Sequence, residues 1–146
     1  MKTLSRLSVA AAAIAVFATP VHADHLRDGR KLDAMLNGAN EVPNAGDPDG
    51  MGMIISRTNP GSGEFCYTLT VMDIATPTAA HIHKGAAGEA GPVVATLSTP
   101  STGESTGCVD IPRNLARAIV KNPDEYYINV HNAEYPGGAV RGQLAK

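Results

Sequence analysis

Between residues 64 and 72 apolar and polar side chains alternate without a break, and no other stretch limits the possible folds as strongly. In an extended chain Phe65, Tyr67, Leu69 and Val71 fall on one side. Glu64, Cys66, Thr68 and Thr70 fall on the other, which is the two-residue period of a half-buried strand. Shorter stretches carry the same signal: residues 32–36, 53–57, 79–84, 93–97, 107–111, 126–132 and 138–144. Between them stand turn formers, such as Asn59-Pro60-Gly61-Ser62-Gly63 and Glu134-Tyr135-Pro136-Gly137-Gly138, and residues 37–52 read as one long loop. One helix is expected at 112–121, because Pro112 suits a first turn, Leu115 and Ile119 are four apart, and Asn122-Pro123 ends the segment. Short strands joined by Gly/Pro turns predict an all-β, antiparallel, Greek-key-like sandwich or barrel with one short helix.

The amino terminus has a different character. Lys2 and Arg6 precede an apolar run at 7–19, followed by Pro20 and the small-residue pattern Val21-His22-Ala23. The run is shorter than the roughly 20 residues a membrane-spanning helix needs. It reads as a signal peptide over 1–23, with a flexible segment at 24–31 and the folded domain at 32–146, in a protein exported to the periplasm or beyond. Losing Lys2 and Arg6 takes the formal net charge from −2 to −4. With no basic block left, nothing points to nucleic acid or an anionic membrane as partner. The chain has no Trp and two Phe, so Val, Ile, Leu, Ala and Met are expected to fill the core. Export makes a Cys66–Cys108 disulfide the default for the two cysteines, and strand parity places both on the face away from the core.

The histidines carry the chemistry. In Ala80-His81-Ile82-His83 the two imidazoles share a strand face about 7 Å apart, opposite Ala80 and Ile82. In Tyr127-Ile128-Asn129-Val130-His131 the same parity sets His131, with Tyr127 and Asn129, opposite Ile128 and Val130. If these strands are neighbours, His81, His83 and His131 converge on the outside of the sheet. Three imidazoles without a thiolate suit copper(II), with zinc(II) as the alternative. A fourth donor is expected from water, a nearby oxygen or His25, which would stand second in the mature chain beside a free α-amine. Glu41, Asp73, Glu89 and Glu134 are conceivable extra ligands or acceptors for an imidazole N–H. Arg141 shares a face with Gln143 and can attract a small anion or dioxygen species to the metal.

Other chemistries find less support. The Gly85–Pro92 stretch lacks the Lys-Ser/Thr of a phosphate-binding loop and reads as a turn between strands. No Gly-x-Ser-x-Gly elbow and no distinct carboxylate pair point to hydrolysis. Three functions therefore follow from the residues: a copper-binding protein, a metal-free module that holds a protein partner, or a weak copper oxidoreductase.

Several blocks resemble one family. Leu36-Asn37-Gly38-Ala39-Asn40-Glu41-Val42-Pro43, Ala80-His81-Ile82-His83-Lys84-Gly85 with Gly91-Pro92-Val93, the run from Asn122 to Asn132, and Tyr135-Pro136-Gly137-Gly138-Ala139-Val140-Arg141-Gly142-Gln143-Leu144 are similar to the CHRD domain, the module named after chordin. The resemblance spans residues 32–144 and implies a compact β-sandwich or barrel in a secreted protein. In chordin the module belongs to an extracellular antagonist of growth-factor signalling. A second likeness is to the copper/zinc superoxide dismutases, in which an HxH strand and a later histidine on a Greek-key barrel bind copper. His81, His83 and His131 would correspond to three of those ligands, but a bridging histidine and the zinc-site cluster are lacking. This is analogy at the level of fold.

Overall fold

The computed structural model describes residues 29–146. The expected signal peptide at 1–23, His25 and most of the 24–31 segment lie outside them. Eight strands form: β1 (Arg30–Asn37), β2 (Met51–Asn59), β3 (Glu64–Met72), β4 (Pro77–Lys84), β5 (Val93–Leu97), β6 (Glu104–Asp110), β7 (Tyr126–Asn132) and β8 (Val140–Gln143), with one helix, α1 (Arg113–Lys121), between β6 and β7. They make one sheet in the order β5-β4-β7-β8-β1-β2-β3-β6, with every neighbouring pair antiparallel. The connections from β3 to β4 and from β5 to β6 cross between the two halves of the sheet, as the Greek-key-like expectation requires. The sheet curls into a nearly closed barrel. Near the closure the Ser98 backbone N–H donates to the Tyr67 hydroxyl at 2.7 Å, and the Ser105 hydroxyl donates to the Ser98 carbonyl at 2.8 Å.

The inner face follows the sequence alternation. Leu32, Ala34 and Leu36 of β1 meet Ile54 of β2, Phe65, Tyr67 and Leu69 of β3, Ile82 of β4, and Ile128 and Val130 of β7, all buried. Burying each large aliphatic or aromatic side chain contributes about 1.5–3 kcal/mol relative to exposure. Helix α1 adds Ala116 and Ile119 to this core. Ile119 was expected there together with Leu115, but a three-residue step turns Ala116 inward and leaves Leu115 half-buried.

Three expectations need correction. Among the described residues no methionine enters the core: Gly52, Ile54, Ser56 and Thr58 take the inner face of β2, so parity sends Met51 and Met53 outward. Met35 and Met72 are also exposed. Strands β1 and β2 run longer than the alternation indicated, taking in Arg30 and Lys31 from the expected flexible segment and Met51 from the expected loop. Finally, Cys66 lies on the outer side of β3 yet is 1% exposed. Its cross-strand neighbours are the exposed Cys108 on one flank and the half-buried Arg57 on the other.

Cys66 and Cys108 form a disulfide that ties β3 to β6 across 42 residues of chain. Among the described residues no helix is long and apolar enough to cross a membrane. Closing a loop of that length removes unfolded-state entropy worth about 4 kcal/mol. The Cys66→Ser/Cys108→Ser double variant should therefore lose about 3–4 kcal/mol in urea unfolding, with the native circular dichroism spectrum retained below the transition.

Candidate metal centre

The ladder between β4 and β7 builds the site. Its register sets Ala79 opposite His131, His81 opposite Asn129 and His83 opposite Tyr127. Ile82 and Ile128 pair on the inner face, so His81, His83 and His131 emerge together on the outer one. Their ring centroids lie 5.6 Å apart for His81–His83, 5.0 Å for His81–His131 and 6.4 Å for His83–His131. One nitrogen from each ring can be chosen so that all three lie within 4.8 Å of one another.

Backbone carbonyls orient two of the rings. His83 Nδ1 lies 2.8 Å from the Gly91 carbonyl oxygen, and His131 Nδ1 lies 3.0 Å from that of Pro136. A carbonyl only accepts, so each Nδ1 carries the proton and each Nε2 keeps its lone pair. The His83 Nε2 atom is buried with no hydrogen-bond partner. The His131 Nε2 faces His81 Nδ1 at 3.0 Å. Burial, aided by the neighbouring imidazoles, pushes the His81 pKa below its ordinary value. His131 is lowered by burial and by His83, against an upward pull from the Pro136 carbonyl. Both rings are thus biased toward the neutral form that a metal ion requires.

Part of the outer face is roofed. Loop 85–92 folds back over it: Arg141 donates to the Ala86 carbonyl at 2.9 Å, Gln143 to Gly85 at 2.7 Å, and the Gly91 N–H to the Tyr127 hydroxyl at 3.2 Å. Gly91 passes so close to β4 that a Cβ would overlap the Lys84 carbonyl oxygen, which explains a glycine at the residue that holds His83. Loop 38–50 forms the other half of the roof, pinned by Asp47 N–H to the Ala139 carbonyl at 2.8 Å. Beneath it Tyr127, Asn129 and Arg141 are 4%, 2% and 2% exposed.

Tyr127 stacks on His83 with centroids 4.7 Å apart and planes 10° from parallel. The Arg141 guanidinium sits 3.4 Å from the Tyr127 ring centroid. With β7 between β4 and β8, the order is His83, Tyr127, Arg141. The guanidinium therefore backs the tyrosine and does not face the histidines, as an anion-attracting role would require. A cleft lined by Asn40, Val42, Gly88 and Gln143 reaches Arg141 from the far side.

Glu41 is the polar surprise. It is 6% exposed, and a Cβ on Gly138 would overlap its carboxylate. Burial pushes its pKa up from 4.5 to about 7, against the opposing pull of Arg141, the Asn129 side chain and the Val42 N–H. It stands outside the three-nitrogen group, as do the exposed Asp73, Glu89 and Glu134. Glu134 instead borders a cleft shared with Val42, Pro43 and Tyr135. Strand parity alone sets the three histidines, Tyr127 and Asn129 on one face, as the register has them, but it does not show the Gly91 and Pro136 carbonyls that fix the tautomers. Their signal was the Gly-Pro and Pro-Gly pairs beside them, which mark places where backbone turns back on the sheet.

A family model described as CHRD domain matches residues 32–144. Neither a curated protein nor a solved structure matches the chain.

The Glu41 carboxyl gives a stability signature. Between pH 4.5 and about 7 the folded chain holds a proton that the unfolded chain releases, so this contribution is complete below pH 4.5 and lost as pH rises through 7. Glu41→Gln should gain roughly 3 kcal/mol relative to the wild type between pH 4.5 and pH 8, read as the difference between their urea unfolding curves at each pH.

Proposed function

The chain belongs to the CHRD domain family, and on that premise we propose that it is an exported copper-binding protein that holds one ion through His81, His83 and His131. The coarse setting is the family's own: a secreted, extracellular type of module, with a disulfide compatible with an oxidising compartment. The observation that carries the metal reading is the orphaned His83 Nε2. Its other nitrogen is committed to the Gly91 carbonyl, and a buried acceptor without a partner is costly unless something fills the gap. A cation bound by the three lone pairs satisfies it.

The donor set decides between metals. Three neutral imidazoles with no thiolate suit copper(II) and zinc(II), and intrinsic affinity for such a set is greater for copper. Copper(II) would supply a one-electron redox centre as well as a Lewis acid. His81, His83 and His131 would hold it, with water or a nearby oxygen as a fourth donor. Tyr127 and Arg141 act as positioning residues, since the stack fixes the plane of the His83 ring. Storage or handling of copper fits this arrangement better than rapid turnover, because the Arg141 guanidinium lies against Tyr127 and is turned away from the histidines. Zinc bound by the same atoms is the second reading.

Metal analysis of the exported protein after copper loading and desalting tests the proposal. About one copper per chain is expected, with a type 2 electron paramagnetic resonance spectrum showing nitrogen hyperfine structure. His83→Ala should remove the bound copper and keep the fold, because the ring lies off the apolar core. Protein that retains no copper, or a variant that binds it as before, overturns the three-histidine site.

A further inference from the structure

All four methionines of the described residues lie on one patch of the barrel. Met35, Met51, Met53 and Met72 are 69%, 48%, 39% and 54% exposed. Such exposure runs against the habit of the residue, since methionine ordinarily fills gaps in cores. This core is packed from Leu, Ile, Val, Phe, Tyr and Ala instead.

The register brings the four together. Met35 of β1 stands directly opposite Met53 of β2, and Met51 of β2 stands directly opposite Met72 of β3. Met51 and Met53 are two apart on one strand and so share its outer face. Directly opposed Cβ atoms lie about 4.5–5.5 Å apart, and diagonal ones about 7–8 Å, within the reach of long side chains. Each methionine carries its sulfur two bonds beyond Cβ on a flexible arm, so three or four thioethers can gather over the first residues of β2.

Charge beside the patch has the sign a cation needs. Met51 borders a shallow depression together with Asp49 and Asp73. Asp73 follows Met72 directly and adopts a left-handed conformation with φ 56°, turning the chain out of β3 at that point. Thioether sulfur is neutral, soft and does not protonate in water, and soft ligands select copper(I) over copper(II) and zinc(II).

We propose that Met35, Met51, Met53 and Met72 form a surface site for a soft monovalent cation of the copper(I) type, distinct from the histidine group. In the sheet β8 lies between β7, which carries His131, and β1, which carries Met35, while β4 with His81 and His83 stands one strand farther off. The thioether site therefore stands or falls independently of the histidines.

Silver(I), a redox-inert stand-in for copper(I), tests it on the exported protein with 13C-labelled methionine methyl groups. At one equivalent the Met51 and Met53 methyl resonances, with at least one of Met35 and Met72, should shift to saturation. The response should be the same at pH 5.5 and pH 7.5, because thioethers do not titrate, whereas silver on imidazole weakens as protons compete. Met51→Leu/Met53→Leu, which keeps side-chain size on an exposed face, should weaken this binding at least about tenfold and leave the histidine ring resonances and thermal midpoint unchanged. Silver that moves only histidine resonances, methyl shifts that never saturate, or a leucine variant of undiminished affinity would overturn the site.

Discussion

The hydrogen-bonded ladder between β4 and β7 fixes more of this molecule than any other contact. It pairs Ile82 with Ile128 inside the barrel, and by that pairing it delivers three histidines to one place outside. A strand has two faces and a period of two, so a slip of one residue would exchange them. Imidazoles would then enter the apolar core and isoleucines would meet the roof loops. The cost of that exchange keeps the register unique, and the hydrophobic core thereby positions a polar site to which it contributes no ligand.

Above the sheet lies a second layer of a different kind. It is assembled from side chains that proteins seldom bury, Glu41, Asn129 and Arg141 among them. Loops rich in Gly and Pro cover them and supply carbonyl oxygens as partners: Ala86 to Arg141, Gly91 to His83, and Pro136 to His131. Dispersion contributes where Tyr127 lies between an imidazole and a guanidinium. Three acceptors of this layer stay without partners, His83 Nε2, Glu41 Oε1 and Asn129 Oδ1, and the raised pKa of Glu41 reports how weakly the layer is solvated.

Much of this was legible in the residues because parity is a local property. Alternation in β3, the shared face of His81 and His83, and the matching face of His131 each need only a few consecutive residues. The cysteines could be paired because there were only two. What escaped was non-local. Nothing in the order of residues says that loops 38–50 and 85–92 fold over this face of the sheet, so the burial of Glu41 and Arg141 beneath them was not legible. The direction in which Arg141 points depends on Tyr127 lying between it and His83. The methionines were misjudged for a related reason: hydrophobicity assigned them to the core, whereas the inward parity of Gly52, Ile54, Ser56 and Thr58 had already excluded Met51 and Met53.

The near-closure of the barrel also bears on how this chain behaves in a crowd. An open sheet edge is a template on which other chains can add strands and aggregate. Here one edge is β5, only five residues long, and the other is β6, whose outward positions carry Glu104, Thr106 and Asp110. Ser98 and Ser105 draw the two edges toward each other, so each partly shields the other. A protein that depends on a buried polar layer and exposes four thioethers can thus be held at high concentration without recruiting its neighbours into a shared sheet.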